Sequence, residues 1–215
     1  MVNSGSSANL LALSSFNFKK GSEIITPSLT FSTTVSPIYQ LGYVAHFIGV
    51  EENKFLSDIN QIKKCINKKT VAIMLPNLLG NVLEWKTIYN IAKKYNNLPI
   101  VIDHIAKPKI LNQEIDEWKA DMKKLSMLDN IFCKYSGIVT EIGEDYNLEQ
   151  IKPYTDFIFE IFDTNKIMWG SDWPVLTMAE KYENWFDIAH TLIPNLSNDE
   201  KMNVFSHTAR NFYKI

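Results

Sequence analysis

Apolar residues recur along this chain in two patterns, short continuous runs typical of buried strands and stretches with helical spacing. The runs predict strands at Glu23–Thr26, Val44–Val50, Val71–Leu75, Pro99–Ile102, Ile131–Lys134 and Lys166–Gly170. The helical spacing predicts helices at Ser6–Phe16, Ile59–Ile66, Trp85–Tyr95, Trp118–Leu128, Tyr154–Phe162, Ala179–Leu192 and Ser197–Tyr213. Because helices and strands alternate, we expect an α/β fold with mostly parallel strands.

The composition indicates a folded chain and excludes several classes of function. With 215 residues, 46% of them hydrophobic, the chain can form one large domain or two small ones. A net charge of −2 and a single arginine, Arg210, argue against nucleic-acid binding. Cys65 and Cys133 are too few for a disulfide framework or a thiolate metal site. No apolar run suits a membrane span, so we expect a cytoplasmic protein that does not bind membranes.

A small polar turn, Asn3–Asn9, runs directly into the first predicted helix. Backbone N–H groups and serine hydroxyls at a helix N-terminus form a binding site for phosphate, although simple helix capping by serine explains the same residues. Three further blocks follow in order, Thr26–Pro37, Leu41–Gly42 and Leu75–Asn81. The turn and these three blocks occur in this order along the chain, and together they can be compared with known families.

This series resembles the sugar aminotransferase and dehydrase family that uses pyridoxal phosphate, over about Met1–Asn96. The resemblance is to the keto-deoxysugar dehydrase branch, and it implies a fragment of a fold-type I aminotransferase large domain. It also implies that Gly5, Ser6 and Ser7 bind the cofactor phosphate and that Phe31 packs against the pyridine ring. The segment that carries the Schiff-base lysine in this family, or the histidine that replaces it in dehydrases, is missing from the chain.

The same family uses an aspartate at a strand end to hold the pyridine nitrogen. Here Asp103 follows the corresponding strand one position early. Because a shift of one residue turns a strand side chain to the opposite face, we do not expect Asp103 to take that role.

Polar residues follow three predicted strands in the second half of the chain. Asp103 and His104 follow the first, Lys134 and Ser136 lie at the end of the second, and Asp172 follows the third. Enzymes with parallel α/β sheets and barrels build their sites at these carboxyl ends. We therefore expect these side chains to lie close together.

Four blocks carry a second resemblance, Ile100–Pro108, Ile131–Gly137, Ile167–Pro174 and Phe205–Tyr213. They resemble the amidohydrolase-related family that includes fuconolactonase-like and dicarboxylate lactonase-like hydrolases, over about Leu98–Ile215. The Gly-Ser-Asp-Trp-Pro motif is the most specific part of the match. The resemblance implies the last three βα units of an eight-stranded barrel.

By this second resemblance, Asp172 would be the general base that activates water for attack on a lactone carbonyl, and His104 would polarise or orient the substrate. Lys134 would bind an anionic substrate group, and Ser136 and Trp173 would also contact the substrate. The His-x-His pair that the family carries on its first strand has no counterpart in the sequence. Two groups fall short of the three protein ligands usual for catalytic zinc, so we expect no metal.

The two resemblances meet at a seam near Asn96–Leu98, which predicts two domains, residues 1–96 and 97–215. A helix, a short loop and a buried strand occur at this point in both families, so the junction keeps an ordinary αβ connection. Three barrel units leave open strand edges, which favour self-association into a homo-oligomer.

Three functions remain open from the sequence. The first is a hydrolase that acts on a lactone or a similar cyclic ester, a small-molecule substrate. The second is a remnant of an aminotransferase or dehydrase that binds pyridoxal phosphate. The third is a fusion product without activity.

Overall fold

The computed structural model describes residues 5–52, 54–76, 78, 85–143 and 146–215. The chain divides into two compact units, Met1–Ile91 and Ala92–Ile215. The strands are β1 Glu23–Pro27, β2 Val44–Ile48, β3 Thr70–Ile73, β4 Ile100–Ile102, β5 Ile131–Tyr135 and β6 Ile167–Trp169. The helices are α1 Gly5–Ser15, α2 Ser32–Gln40, α3 Ile59–Cys65, α4 Trp85–Lys94, α5 Asp116–Ser126, α6 Leu148–Ile161, α7 Tyr182–Leu192, α8 Asn198–Met202 and α9 Thr208–Tyr213.

In the first unit, the described strands form a parallel sheet in the order β2-β1-β3. The central strand β1 is buried over most of its length, which suits its apolar sequence. A core of four buried side chains packs between the sheet and the helices, and consists of Leu13, Ile24, Ile38 and Tyr43. None of the described helices in either unit is long and apolar enough to cross a membrane.

In the second unit, the described strands form another parallel sheet of three strands, β4-β5-β6. Along β5, Ile131, Cys133 and Tyr135 are buried, and the residues between them are partly buried. Tyr135 packs against Trp185 of α7 and donates a hydrogen bond to the carbonyl of Ala189, 3.4 Å away. Tyr135 therefore faces α7, and the alternation turns Lys134 to the opposite face.

The prediction of an α/β fold with parallel strands is confirmed. Helix α6 departs most from its predicted start, and helix α2 was not predicted. Helix α6 begins at Leu148, earlier than predicted, because Asn147 and Gln150 form a capping box. Helix α2 was not predicted, since the run Ser32–Ser36 is rich in serine and threonine, which have only moderate helix propensity. The C-terminal helix forms in three parts, with a π-helical turn at Asn203–His207 between α8 and α9.

Candidate functional site

The ends of β4, β5 and β6 bring together three of the predicted site residues. His104 lies directly beyond β4, Ser136 follows β5, and Asp172 lies beyond β6. The His104 Nε2 atom is 3.4 Å from Asp172 Oδ1, and its Nδ1 atom is 2.8 Å from Ser136 Oγ. The imidazole thus stands between a hydroxyl and a carboxylate. The side chains of His104 and Asp172 are 25% and 12% exposed, so both are mostly shielded from solvent.

The backbone at both strand ends adopts an uncommon conformation. The φ angles are 52° at His104, 45° at Ile105, 64° at Ala106 and 49° at Lys107, and Asp172 has a φ of 61°. Side chains with a Cβ atom are strained in this left-handed region, at a cost of order 1 kcal/mol each. Such strain persists only where the surrounding structure holds it, and it is concentrated at functional sites.

Two tryptophan indoles hold these strained segments. The Trp118 indole N–H of α5 donates to the carbonyl of Ile105, at 2.8 Å. The Trp185 indole N–H of α7 donates to the carbonyl of Gly170, at 2.9 Å, two residues before Asp172. Each helix therefore fixes the backbone that carries one of the two candidate catalytic side chains.

Gly137 permits the close approach of His104 to the end of β5. A Cβ atom at position 137 would lie 2.7 Å from His104 Nδ1, closer than real contacts allow. Gly137 also has a φ of 61°, which glycine adopts without strain. A glycine is needed here for two independent reasons.

Two ion pairs lie at the same end of the sheet. Lys134 Nζ is 3.0 Å from Asp103 Oδ1, as expected because the β4–β5 register, continued by one residue, places them side by side. Lys107 Nζ is 2.8 Å from Glu141 Oε1 and links the segments after β4 and β5. The site therefore combines two ammonium groups with the carboxylates around Asp172.

Burial raises the pKa of the Asp172 carboxyl above its ordinary value, and the charges of His104 and Lys107 reduce this shift. Burial also acts to raise the pKa of Asp103, but Lys134 and His104 outweigh it and lower that pKa. Burial acts to lower the pKa of Lys134, and the contact with Asp103 outweighs it and raises that pKa. Asp103 and Lys134 are therefore both charged near neutral pH, whereas Asp172 holds its proton more tightly than an ordinary aspartate.

The donor set in the described residues does not fit a metal ion. No group of three or more His, Cys, Asp or Glu side chains in this part of the chain is arranged to hold one. His104 and Asp172 offer two ligands, and catalytic zinc sites use three. The described side chains around His104 therefore do not supply the ligands of a catalytic zinc site.

The residues predicted to bind the substrate differ in their exposure and in their partners. The Trp173 side chain is 37% exposed, and its backbone N–H donates to Ser171 Oγ at 3.2 Å. Ser136 is 1% exposed, and Lys134 is paired with Asp103. The substrate-binding roles of these residues stay predictions.

The predicted cofactor residues lie in the first unit. Gly5, Ser6 and Ser7 form the first turn of α1, and Phe31 precedes α2 with a side chain that is 64% exposed. The amide of Asn9 donates to the carbonyl of Thr33 at 3.2 Å, which joins α1 to the start of α2. Asn3 and Ser4 of the turn, and Asn77 and Leu79–Asn81 of the third block, lie outside the described residues.

Sequence reasoning did not find several residues that shape the site. Lys107, Glu141, Gly137, Trp118 and Trp185 were not singled out. Gly137 directly follows a polar residue at a strand end, and this pattern could have indicated a close approach of the backbone to another group. The indole contacts carry no local sequence pattern, because they join residues that are 13 and 15 positions apart.

Comparison with known proteins bears on both halves of the chain. Residues 86–215 match the model of the amidohydrolase family, which is more than half of the chain. The chain belongs to the amidohydrolase family. Residues 1–106 match the DegT/DnrJ/EryC1/StrS aminotransferase family. The prediction of a chimera that joins pieces of two families is confirmed, and the two matches overlap at residues 86–106.

Individual relatives agree with this division. An L-fucono-1,5-lactonase from Burkholderia ambifaria is 35% identical over 128 residues, which cover 58% of this chain and 44% of the lactonase. A GDP-4-keto-6-deoxy-D-mannose 3-dehydratase from Yersinia pseudotuberculosis is 36% identical over 99 residues, which cover 43% of this chain and 25% of the dehydratase. The chain therefore spans less than half the length of either relative.

Solved structures support the fold. Crystal structures of an amidohydrolase from Burkholderia multivorans, one with bound HEPES and one with bound zinc, match with TM-scores of 0.61 and 0.60. Each match covers 97% of this chain and 88% of that chain, at 17% and 18% identity. At this identity the likeness concerns the fold alone.

Proposed function

We propose that residues 97–215 are a hydrolase domain that opens a lactone of a sugar acid or a similar cyclic ester. The observation that carries the proposal is the pair of His104 and Asp172, which are 3.4 Å apart in a shielded site at the carboxyl ends of β4 and β6. The 35% identity to an L-fucono-1,5-lactonase over 128 residues supports a lactone as substrate. We also propose an ancestry for each part of the chain. Residues 1–96 derive from an aminotransferase large domain, and residues 97–215 derive from the last three βα units of a barrel.

The proposed reaction uses Asp172 as the general base. The ionised carboxylate takes a proton from water, and the water oxygen attacks the lactone carbonyl carbon. The bond between that carbon and the ring oxygen breaks, and the proton held by Asp172 passes to the departing oxygen, which becomes a hydroxyl. His104 holds the Asp172 carboxylate in place throughout. Water is the only co-reactant, and the product is the open-chain hydroxy acid.

The pKa of Asp172 gives this reaction a characteristic pH dependence. Only the ionised carboxylate can accept the proton, so activity falls as the pH drops through the pKa of Asp172. Because burial raises that pKa, we expect the acid limb of kcat/KM to lie above the ordinary aspartate value of about 4. A limb at or below that value would contradict the raised pKa of Asp172.

The direct test measures the hydrolysis of L-fucono-1,5-lactone and a panel of other sugar lactones. The rate is read from the release of acid, and the spontaneous rate is subtracted. We expect Asp172→Asn to lower kcat by roughly 10²- to 10⁴-fold, the usual contribution of a general base. Asp163→Asn is the matched control, since Asp163 is exposed and its side chain caps no helix. Equal rates in wild type and Asp172→Asn would refute the proposal.

A second function is proposed for the first unit, the binding of pyridoxal phosphate without turnover. The chemistry of the α1 N-terminus fits the phosphate, because the first turn of a helix presents backbone N–H groups and here also carries the hydroxyls of Ser6 and Ser7. The hydrogen bond from Asn9 to Thr33 holds the start of α2 against α1, and the exposed Phe31 ring is available for stacking. When bound, the cofactor would supply a conjugated electron-withdrawing ring, and these residues would hold its phosphate and cover one face.

This binding can be measured by absorbance titration with pyridoxal phosphate. We expect a saturable change that Ser6→Ala and Ser7→Ala together weaken, and that borohydride does not fix to the protein. Ser36→Ala is the control, because its hydroxyl donates to the carbonyl of Ser32 within α2. A titration that is unaffected by the double substitution would contradict the site.

A further inference from the structure

We propose that Ser136 is a positioning residue that holds His104 in the tautomer with its proton on Nε2, so that His104 donates a hydrogen bond to Asp172. The consequence for catalysis rests on the proposed lactone hydrolysis. The tautomer itself is a property of the folded chain and can be measured without any substrate.

The distances define which atoms can donate. A neutral imidazole has one N–H donor and one acceptor nitrogen, and an ionised carboxylate only accepts. Nε2 faces Asp172 Oδ1 at 3.4 Å, so Nε2 is the nitrogen that must carry the proton when Asp172 is ionised. Nδ1 is then the acceptor, and the hydroxyl 2.8 Å away, that of Ser136, must be its donor.

The packing around Ser136 makes this donor difficult to replace. The residue is 1% exposed, so solvent does not reach its hydroxyl. A Cβ atom at Gly137 would lie 2.7 Å from Nδ1, and one at Gly170 would lie 3.4 Å from the Ser136 Cβ. The two glycines thus let the strand ends close around the hydroxyl and the imidazole. In this tightly packed position, a side chain without a donor leaves Nδ1 without its hydrogen bond.

The combination of serine, histidine and aspartate also occurs in hydrolases that use serine as a nucleophile. In this chain the serine is buried, and its hydroxyl points at the histidine from within the sheet end. A nucleophile has to contact the substrate carbonyl, and the closed surroundings of the Ser136 hydroxyl favour its contact with His104 instead. Ser136 therefore acts through His104. A fluorophosphonate that reacts with nucleophilic serines should leave Ser136 unlabelled, and labelling at Ser136 would overturn the inference.

The charges of Asp103, Lys107 and Glu141 also act on Asp172, so a pH profile of activity would not isolate the effect of Ser136. The nitrogen chemical shifts of the imidazole report the tautomer directly. The chain has four histidines, and a His104→Gln variant assigns the signals of His104. In the full chain labelled with ¹⁵N-histidine, at a pH where His104 is neutral, we expect a protonated Nε2 and an unprotonated, hydrogen-bonded Nδ1.

Substitutions at Ser136 complete the test. We expect Ser136→Ala to move His104 to a mixture of tautomers, and Ser136→Cys, which keeps a weak donor, to give an intermediate spectrum. Ser126→Ala is the matched control, because its hydroxyl donates to the carbonyl of Lys123 within α5. A proton on Nδ1 in the wild-type chain, or an unchanged spectrum in Ser136→Ala, would overturn the inference.

A kinetic measurement connects the tautomer to the reaction. We expect Ser136→Ala to lower kcat on the lactone roughly tenfold, as for loss of one orienting hydrogen bond, with KM little changed. A wild-type chain that shows the expected tautomer but hydrolyses no lactone would contradict the proposed function and would still support the role of Ser136 in positioning His104. The two claims can therefore fail separately.

Discussion

Asp172 combines a function that needs a negative charge with a position that disfavours one. Its side chain is 12% exposed, and its burial raises the pKa above that of an ordinary aspartate. His104 and Lys107 offset part of this cost. A raised pKa brings a general base closer to the operating pH, which favours proton transfer, but the ionised side chain then destabilises the folded state.

This conflict predicts the stability of Asp172→Asn. A carboxyl whose pKa is higher in the folded state than in the unfolded chain stabilises the fold while protonated, and this contribution is lost as the pH rises through the folded-state pKa. We therefore expect the asparagine variant, which never ionises, to melt at a higher temperature than wild type near pH 7. The difference should disappear below about pH 4.

Thermal melts at pH 7 and in acid measure this effect, with Asp163→Asn as the control for removal of an exposed charge. If Asp172→Asn is less stable than wild type at pH 7, the carboxylate contributes attraction that exceeds its cost of burial. The account of its raised pKa would then be wrong.

At the scale of single residues, a motif and its neighbours predicted part of the site. The Gly-Ser-Asp-Trp-Pro motif indicated Asp172, and the position of His104 after a strand placed both at one sheet edge. The surroundings of Ser136 could not be predicted, because strand alternation shows which face a residue occupies but not whether neighbouring strand ends cover it. Lys134 was expected to bind an anionic group of the substrate. In the structure it pairs with Asp103, as the register of β4 and β5 allows, and its role toward the substrate stays a prediction.

At the scale of elements, helices α5 and α7 fix the segments that carry His104 and Asp172. Trp118 packs its ring against Tyr154 and Phe157 of α6 while its indole N–H holds the carbonyl of Ile105. Ile105 is fully buried, so its carbonyl depends on this donor. The hydrogen bond therefore joins helix packing to the strained segment from His104 to Lys107.

Trp118→Phe should test this connection. We expect the free energy of unfolding to fall by about 1–3 kcal/mol, since a buried carbonyl loses its donor, and lactone hydrolysis to fall in parallel. Chemical denaturation and initial rates measure the two effects.

Trp169→Phe is the matched control for this substitution. The Trp169 indole nitrogen is buried, and no hydrogen-bond partner for it is found in the described part of the chain. This variant loses a similar amount of ring surface without losing a hydrogen bond. If both variants lose the same stability and activity, the effect of Trp118 comes from packing, and the indole bond does not hold the site.

The sequence predicted the strands better than the helices. All six predicted strands overlap strands of the structure, because their apolar runs suit buried parallel sheets. Helix α2 could not be predicted in the same way, since Ser32–Gln40 contains four serine and threonine residues in its first turns and Pro37 within it. Its buried side chains, Thr34, Pro37 and Ile38, show that tertiary packing determines this helix.

At the scale of the whole molecule, the Asn130 side chain bonds to the backbone of the segment where the two resemblances meet. The amide of Asn130 donates to the carbonyls of Ala92, Tyr95 and Leu98, at 3.1, 3.2 and 2.8 Å. These carbonyls end α4 and begin the connection to β4, where helices leave backbone acceptors unsatisfied. Asn130 therefore satisfies the backbone of the segment where the two resemblances meet.

Asn130→Ala should destabilise the second unit by about 1–3 kcal/mol, because buried carbonyls lose their donor. Cys133 provides the measurement, as it is fully buried in β5 and burial raises the pKa of its thiol. We expect a thiol reagent to label Cys133 only through unfolding of the second unit, and to do so faster in Asn130→Ala.

Cys65 is an internal control in the same experiment, since it lies in the first unit and is partly exposed. Its labelling should be rapid and equal in wild type and Asn130→Ala. Labelling of Cys133 at the rate of Cys65 in the native wild-type chain would contradict the buried position of β5.

The domain boundary and the oligomeric state belong to this scale, and the sequence predicted them less directly. The predicted boundary at residues 96 and 97 rests on two resemblances that overlap over 86–106, whereas the compact units divide between Ile91 and Ala92. A helix followed by a strand suits both families, so sequence similarity alone does not fix where one piece ends. The predicted homo-oligomer stays a prediction.

The left-handed backbone after β4 also has a consequence for protein engineering. A search for stabilising substitutions guided by backbone geometry would choose glycine at Lys107, where φ is 49° and the side chain is 40% exposed. That choice would relieve strain, but it would also remove the cation that pairs with Glu141 and acts on Asp172. Selection for stability alone would therefore erase part of the site's electrostatics, and any library designed for thermal tolerance should hold this position fixed.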